Sequence, residues 1–262
     1  MKNIGEIIKN RPTRADMCVQ HGEFKSRNYF GSLWSKCPAC VREDDERRRE
    51  DNERRKAEEE IAARKAQRLA WEAKVSVADI PERFQARTLD TFEAETPAQK
   101  HALEFARDYA NNFIQVLKVG RCALFIGRPG TGKTHLAIGI GLHIMNENHT
   151  VLFTTVMRAI RRIKDSWAKN SCETESRVVA TLTRPDLLIL DEVGVQFSSE
   201  FERAVLFDAL NERYERCRPT VLMSNRSKDE LVGFLGERIF DRMREDGGQV
   251  VVFDWDSHRK LK

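Results

Sequence analysis

Eight consecutive residues, Gly127 to Thr134, follow the pattern G-x-x-x-x-G-K-[ST] of a phosphate-binding loop. Glycines let such a loop curl until its backbone N–H groups point at phosphate oxygens. Lys133 can carry its charge to the β- and γ-phosphates, and the Thr134 hydroxyl can coordinate Mg²⁺. An apolar strand at residues 122–126 and an apolar helix at 135–145 flank the loop, as the motif requires. The residues expected to bind the nucleotide are Gly127, Pro129, Gly130, Thr131, Gly132, Lys133 and Thr134.

Two carboxylates end the apolar run 186–192, of sequence DLLILDE. Such a run is typical of a buried parallel strand, and ligands collect where these strands end. We therefore expect Asp191 to hold Mg²⁺ and Glu192 to polarise the water that attacks the γ-phosphate.

Three further polar residues are candidates for the same site. The run PTVLMSN predicts a strand that ends at Asn225, where the amide can sense the γ-phosphate or orient the attacking water. Arg238 and Arg242 lie one turn apart on the predicted helix 236–244. They either pair with neighbouring carboxylates or reach the γ-phosphate of an adjacent subunit, and the residues alone leave both roles open.

Near the N-terminus, Cys18-x-x-His21 and Cys37-x-x-Cys40 are separated by fifteen residues. Two short ligand pairs that bracket such a loop are typical of a structural Zn²⁺ site with four tetrahedral ligands. The intervening apolar residues are expected to pack a very small core that the metal supports. They are Phe24, Tyr29, Phe30, Leu33 and Trp34.

Composition limits the remaining possibilities. Forty-five Lys and Arg against 41 Asp and Glu leave a net charge of +4, so any basic binding surface must be local. No apolar run approaches the about 18–20 residues of a membrane helix, and the first residues lack a secretory signal. We therefore expect a cytoplasmic protein with no membrane partner, in which the other cysteines, Cys122, Cys172 and Cys217, are buried or incidental.

Changes in composition predict three segments: a zinc-binding module at 1–40, a charged helical linker at 41–74 and an ATPase domain at 75–262. The linker is rich in Arg, Glu, Lys and Ala, and it lacks Gly, Pro and a sustained heptad pattern. A solvated spacer of about 50 Å is favoured over a dedicated binding surface.

Five segments together carry a family resemblance: GRPGTGKTHLA, DLLILDEVGVQ, PTVLMSN, LGERIFDRMRE and VFDWDSHR. They resemble the DnaC family of replicative helicase loaders, which are AAA+ ATPases. The resemblance covers about residues 78–260. It implies an α/β fold, a three-layer αβα core with a parallel sheet, here without a C-terminal helical lid. The zinc module is similar to those of some phage and prophage loaders.

The same resemblance implies roles for the site residues. Lys133 and Thr134 would bind ATP and Mg²⁺, Asp191 would hold the metal, and Glu192 would promote hydrolysis. Asn225 would be the first sensor. Either Arg242, which we favour, or Arg238 would act on the ATP of a neighbouring subunit, so the protein would self-associate around ATP.

The implied partners are a replicative helicase hexamer and single-stranded DNA. In the loaders the N-terminal region grips the helicase, so residues 1–74 are assigned that role by position, and whether the zinc module contacts helicase or DNA stays open. The alternatives are a transposition-assisting ATPase that acts on double-stranded DNA with a transposase, which the GVQ and GERxxDR runs disfavour, and a zinc-dependent adaptor with a structural nucleotide, which Glu192 disfavours.

Two regions are candidates for contact with DNA. Residues 155–167 predict a helix that carries Arg158, Arg161 and Arg162 on one face, with Lys164 beside them, and the resemblance places this insert in a channel for single-stranded DNA. A solvated basic face is the alternative. In the zinc module, Tyr29, Phe30 or Trp34 can stack bases, or else form core.

Overall fold

The computed structural model describes residues 11–168, 171–194 and 200–258. The chain divides into two compact units, Met1–Ala70 and Trp71–Lys262. The division falls within one long helix, α1, which spans Pro38–Val77.

The first unit contains a three-stranded antiparallel sheet that precedes α1. Its strands are β1 Thr13–Cys18, β2 Gly22–Phe30 and β3 Leu33–Trp34, in that order across the sheet. The tight turn between β1 and β2 pairs Cys18 with Gly22, whose φ of 77° favours glycine. Ser26 is buried under the sheet and its hydroxyl donates to the Ser35 carbonyl at 2.9 Å.

The small core that we predicted from the apolar residues between the two ligand pairs does not form. Tyr29, Phe30 and Leu33 are exposed, and only Phe24 and Trp34 are partly buried. A sheet of three short strands has too little area to cover every apolar side chain on both faces, so those at the β2–β3 turn lie in solvent.

Helix α1 is charged along most of its length, as its sequence predicts, and extends three residues beyond the predicted 41–74 at each end. Pairs at i,i+4 line its surface, among them Arg54–Glu58, Arg55–Glu59 and Arg64–Glu60. Such exposed pairs each contribute about 0.3–0.5 kcal/mol to helix stability. Val75 is buried and Trp71 packs against the core of the second unit, so the end of the helix belongs to that unit.

The second unit is built on a five-stranded parallel sheet in the order β5-β6-β7-β4-β8. Its strands are β4 Ala123–Gly127, β5 Val151–Thr155, β6 Leu187–Asp191, β7 Thr220–Ser224 and β8 Gln249–Phe253. Its further helices are α2 Pro97–Asn111, α3 Phe113–Val119, α4 Lys133–Asn146, α5 Val156–Ser166, α6 Glu175–Thr183, α7 Glu200–Glu215, α8 Lys228–Leu235 and α9 Glu237–Arg242. Short 3₁₀ turns lie at Glu82–Phe84 and Glu245–Gly247.

Helices cover both faces of this sheet, which confirms the predicted three-layer αβα fold. Alternate strand residues such as Phe125, Ile189 and Met223 pack with α2, α3 and α4 in one cluster. Their neighbours, such as Leu124 and Leu190, pack with α5 to α9 in the other. Because both faces are buried, the strands read as continuous apolar runs.

The strand order determines where the site can form. All five strands run in the same direction, so β4, β6 and β7 end at one edge of the sheet. β7 lies between β6 and β4, and it therefore carries Asn225 to a position between the acidic pair and the phosphate loop. Within the described residues, no helix has the length and apolar character needed to cross a membrane.

Candidate nucleotide site and metal-type cluster

The phosphate loop joins β4 to α4, and its glycines are required by close packing. Gly127 has a φ of 143°, and a Cβ there would lie 2.1 Å from the Phe253 carbonyl oxygen. Gly132 has a φ of 98°, and its Cβ would lie 2.6 Å from the Phe92 ring. No L-residue fits either place without movement of its surroundings. Gly130 also has a positive φ, and Thr131 is buried.

Lys133 is the first residue of α4, and its ammonium lies under the loop. Nζ donates to the carbonyls of Gly127 at 2.7 Å and Arg128 at 2.8 Å. The charge is therefore held beside the backbone that cradles phosphates, at the positive N-terminal end of the helix. This position suits stabilisation of a polyphosphate.

Thr134 and Asp191 face each other across the loop. The Thr134 hydroxyl donates to Asp191 Oδ2 at 3.1 Å, and the Glu192 N–H donates to Asp191 Oδ1 at 2.7 Å. Burial raises the pKa of Asp191, while these hydrogen bonds and Lys133 oppose that rise. A hydroxyl and a carboxylate oxygen in contact are hard ligands that fit Mg²⁺.

Glu192 follows directly and has a φ of 60°, in the left-handed region. A non-glycine residue held there is strained, and such strain is concentrated at functional sites. The side chain is exposed beyond the strand end. The two predicted acidic residues thus differ in setting: Asp191 is half-buried against the loop, whereas Glu192 is exposed.

Asn225 lies directly after the buried end of β7 and is exposed. The strand end is fixed to the acidic segment because Ser224 Oγ donates to the Val193 carbonyl at 2.6 Å and Arg226 Nη2 donates to the Gly194 carbonyl at 3.3 Å. The structure therefore brings Asn225 to the same edge as Lys133.

The two candidate arginines of α9 are held differently. Arg242 is half-buried, donates from Nη1 to Asn211 Oδ1 at 2.7 Å and lies over the Tyr214 ring at 4.6 Å. Arg238 is exposed, and neither arginine has a carboxylate partner in the described part of the chain. A guanidinium has five N–H donors, so Arg242 retains most of its capacity for a phosphate.

A segment after β8, residues 254–258, braces the phosphate loop and was not assigned a role from sequence. The Trp255 indole N–H donates to the Thr131 carbonyl at 2.9 Å, and the His258 N–H donates to the Gly130 carbonyl at 3.1 Å. Trp255 also packs on Phe253, with ring centroids 4.9 Å apart. We call residues 254–258 the C-terminal strap. The separation of 124 residues in sequence leaves no local signal for this contact.

The four predicted zinc ligands form a cluster in the first unit. One ligand atom from each of Cys18, His21, Cys37 and Cys40 lies within 4.8 Å of the others. His21 Nδ1 is 3.7 Å from Cys18 Sγ, 3.8 Å from Cys37 Sγ and 3.3 Å from Cys40 Sγ. Tetrahedral Zn²⁺ with ordinary bond lengths separates its ligand atoms by about 3.5–3.8 Å. The four residues therefore fit Zn²⁺ in donor type and in spacing.

Glu43 adds a contact that the sequence reasoning missed. It lies near the start of α1, and its Oε1 is 2.9 Å from Nε2 of His21. A carboxylate in this place orients a histidine so that its other nitrogen faces a metal. Its position one turn after Cys40 on a predicted helix is the signal that could have found it.

Hydrogen bonds already favour charge separation in this cluster. A hydrogen bond from the backbone N–H of Gln20, and a smaller contribution from His21, lower the pKa of the Cys18 thiol to about 6. The hydrogen bond with Cys18, and a smaller contribution from Glu43, raise the pKa of His21 to about 9. The hydrogen bond to Cys18 raises the pKa of Cys40 to about 12. The thiolate form is the one that binds metals.

The predicted basic face of α5 is largely engaged within the chain. Arg158 pairs with Asp79 at 2.8 Å, and Arg162 pairs with Glu173 at 2.7 Å. Arg161 remains exposed. Arg158 and Arg162 thus stay exposed but are paired with carboxylates of other segments, so the charge of the predicted basic face is partly neutralised.

Parts of three quoted segments lie outside the described residues. These are residues 1–10 of the zinc module, Val195 and Gln196 of the GVQ run, and Arg259 of the closing motif. Cys122 is buried, whereas Cys172 and Cys217 are exposed, and all three are free thiols.

Comparison with known proteins gives consistent results. The family described as "IstB-like ATP binding protein" matches residues 49–260. The replicative helicase loader DnaC of Escherichia coli K12 is 36% identical over 174 residues, covering 66% of this chain and 69% of that protein. DnaC of Buchnera aphidicola subsp. Baizongia pistaciae is 31% identical over 201 residues, covering 77% and 80%. The crystal structure of the DnaC helicase loader superposes with a TM-score of 0.58 at 24% identity, covering 66% of this chain and 99% of that one. These findings confirm the resemblance drawn from the five motifs.

Proposed function

The chain belongs to the family of IstB-like ATP-binding proteins and is a P-loop ATPase of the AAA+ class, and from this premise we propose that it loads a replicative DNA helicase onto single-stranded DNA. The observation that carries the proposal is its identity of 31–36% to proteins named as replicative helicase loaders, over two thirds or more of their length. The loaders' partner, a helicase hexamer, and their cytoplasmic setting come to this chain as parts of the proposal.

ATP would bind at the edge of the sheet where β4, β6 and β7 end. The loop N–H groups and the Lys133 ammonium would hold its phosphates, since both already converge there. Thr134 and Asp191 would hold Mg²⁺, which neutralises charge on the β- and γ-phosphates when bound. The 3.1 Å distance between the Thr134 hydroxyl and Asp191 Oδ2 supports this assignment, because two oxygens this close together can contact the same Mg²⁺.

Glu192 would orient and polarise the attacking water, since it projects from the strand end next to Asp191. Asn225 would sense the γ-phosphate from the adjacent strand, and the hydrogen bonds of Ser224 would transmit its position to the acidic segment. Both assignments rest on the strand order, which places these residues at one edge.

We assign the arginine that acts in trans to Arg242, with Arg238 as the alternative. The Tyr214 ring and Asn211 restrict the Arg242 side chain, so less conformational entropy is lost when it contacts the ATP of a neighbour. Such an arginine makes hydrolysis depend on self-association around ATP.

Zn²⁺ would be held by Cys18, His21, Cys37 and Cys40, with Glu43 orienting the histidine. Its role would be structural, because four protein ligands leave no open position. It would stabilise a unit whose apolar side chains are mostly exposed.

The N-terminal unit would supply the helicase contact, by its position in the chain relative to the loaders. In the ATPase unit, Arg161 is the α5 arginine that has no ion-pair partner within the described residues, so it is the one most available to single-stranded DNA. Arg158 and Arg162 would first have to leave their carboxylates, so they contribute less.

The second candidate is an ATPase that assists transposition on double-stranded DNA, and the family description, which names only ATP binding, is compatible with both. The two functions differ in partner, so the partner decides between them. A transposase retained in place of a helicase would support the second candidate.

The proposal is tested by co-purification of the full chain with the replicative helicase of the cell in which it is encoded, in the presence of ATP. We expect a stable complex that is lost when residues 1–70 are removed. The remaining unit, Trp71–Lys262, is compact by itself, so the loss would reflect the missing contact and not unfolding. Glu192→Gln is the matched control, since it should abolish turnover and keep the complex. No helicase bound by the intact, ATP-competent chain would overturn the proposal.

A further inference from the structure

One face of the N-terminal sheet is exposed along its whole length. Side chains alternate across a strand, so Lys25, Arg27 and Tyr29 of β2 share one face, while Phe24 and Ser26 lie on the other. The three outward residues are exposed, whereas Ser26 is fully buried. The face with Lys25, Arg27 and Tyr29 is called the outer face below.

The opposite strand leaves this face open. Register pairs Lys25 with Ala15 and Arg27 with Thr13, two small residues that cover neither cation. In the described part of the chain neither Lys25 nor Arg27 has an ion-pair partner, and both side chains are exposed. Arg11 continues the row, with its guanidinium 5.6 Å from the centre of the Tyr29 ring.

Two aromatic side chains stand at the end of this basic row, Tyr29 on the outer face and Phe30 next to the turn that follows, where the β2–β3 register shifts. Phe30 is 86% exposed and Tyr29 56% exposed, at the turn between β2 and β3. Leu33, across the turn, is 66% exposed. Apolar rings left in water cost free energy, and a ring that is neither core nor packed on its own sheet is available to a partner.

The charge on the outer face selects the partner. Among the residues that the structure describes, three cations, Arg11, Lys25 and Arg27, share the region with one carboxylate, Glu23, at the far end of the strand. Asp16 is held by Arg14 at 2.9 Å. A row of cations that leads to exposed aromatic rings is the arrangement that holds a phosphate backbone while unpaired bases stack. A duplex keeps its bases stacked on each other and cannot use the rings.

We infer that the outer face and the β2–β3 turn at its end bind single-stranded DNA, with Lys25 and Arg27 on phosphates and Tyr29 and Phe30 stacked on bases. The inference rests on the proposed function for taking the strand to be DNA. It adds a second contact besides α5, on the unit that also carries the zinc-type cluster. The N-terminal unit would then contact the DNA strand in addition to the helicase, whose contact is assigned to this unit by its position in the chain.

The test measures the affinity of the full chain for fluorescein-labelled oligothymidine by anisotropy. Tyr29→Ala with Phe30→Ala should weaken binding by at least about fivefold, the smallest loss expected when one stacked base is removed. Lys25→Ala with Arg27→Ala should lower the slope of log affinity against log salt by about 1.4, the value for two phosphate contacts on a single strand.

Matched controls remove the same chemistry elsewhere in the unit. Val19→Ala removes an exposed apolar side chain at the opposite end of the sheet, and Arg47→Ala with Arg48→Ala removes two exposed charges on α1. Both should leave the oligothymidine affinity within about twofold, because single surface substitutions rarely matter away from a contact. Equal losses in a control would overturn the inference.

Photocrosslinking of the unmodified protein to an iodouracil-substituted strand gives a reading that does not depend on a variant's folding. We expect adducts at Tyr29 or Phe30, and adducts confined to α5 would refute the outer face as a DNA site. Helicase co-purification separates the two proposals. If Tyr29→Ala with Phe30→Ala loses the helicase but keeps oligothymidine affinity, the face docks protein and this inference fails while the loader stands.

Discussion

Replacement of Trp255 by Phe tests whether the C-terminal strap orders the phosphate loop. The indole N–H donates to the carbonyl of Thr131, a fully buried loop residue, at 2.9 Å. Phe keeps a ring against Phe253 and removes the donor. The change therefore isolates one hydrogen bond from most of the packing around it.

The magnitude follows from the burial of the acceptor. A buried carbonyl that loses its donor costs about 1–3 kcal/mol. If about 1 kcal/mol of this is lost from the loop conformation that binds phosphates, nucleotide affinity falls about fivefold. The remainder lowers the melting temperature, by about 2–4 °C for each kcal/mol in a unit of this size.

The assay is equilibrium binding of a fluorescent ATP analogue, with thermal unfolding measured in parallel. Asp254→Asn is the control, because Asp254 lies in the same segment and is exposed. We expect weaker binding and a lower melting temperature for Trp255→Phe, and neither for the control. A lower melting temperature with unchanged nucleotide affinity would refute the role of the strap, since the contact would then serve stability alone.

Three further predictions concern other parts of the molecule. Asp191→Asn should abolish Mg²⁺-dependent hydrolysis yet raise the melting temperature without nucleotide. Burial raises the pKa of Asp191 above its value of about 3.9 in the unfolded chain. The folded wild-type protein therefore loses stability as pH rises from about 3.9, because the carboxyl group loses its proton. The difference in melting temperature between Asp191→Asn and the wild type should grow with pH in thermal scans. Glu43→Ala should lower Zn²⁺ affinity about 10–100-fold in a chelator competition, whereas Glu46→Ala, exposed on the same helix, should not; equal affinities would exclude Glu43 as the orienting group. Arg242→Ala should cut ATP turnover by about 10³ while monomer nucleotide affinity is kept, and a larger loss from Arg238→Ala would reverse our assignment.

Much of the nucleotide edge was predictable because its signals are local. Apolar runs locate β4, β6 and β7 to within a residue or two of their observed bounds. Parallel strands that are buried on both faces appear in the sequence as continuous apolar runs, so their ends are easy to locate. The polar residues that follow these runs all lie at the same edge of the sheet. The zinc-type cluster was equally readable, since each ligand pair lies within four residues.

Contacts between distant segments were not predictable. Arg158 meets Asp79 across 79 residues, and Trp255 meets Thr131 across 124. Periodicity places an arginine on a helix face, but it does not reveal which carboxylate the fold brings there.

The exposed turn of the first unit was missed for a related reason. Tyr29 and Phe30 read as core because aromatic residues are usually buried. The sheet that carries them has three strands and one of these has two residues, so no layer covers them. Whether an aromatic side chain is buried depends on whether another layer of the fold covers it, and a single sequence does not show this.

Helicase loading can be measured as delivery of a replicative helicase hexamer to a circular single strand of DNA. A circle has no free end, so a closed helicase ring cannot thread onto it unaided. We expect DNA-bound helicase only when this protein and ATP are both present. We expect none with Lys133→Ala, which lacks the ammonium at the phosphate loop. Helicase on the circle in equal amount with and without the protein, or none with it, would show that the protein is not a loader.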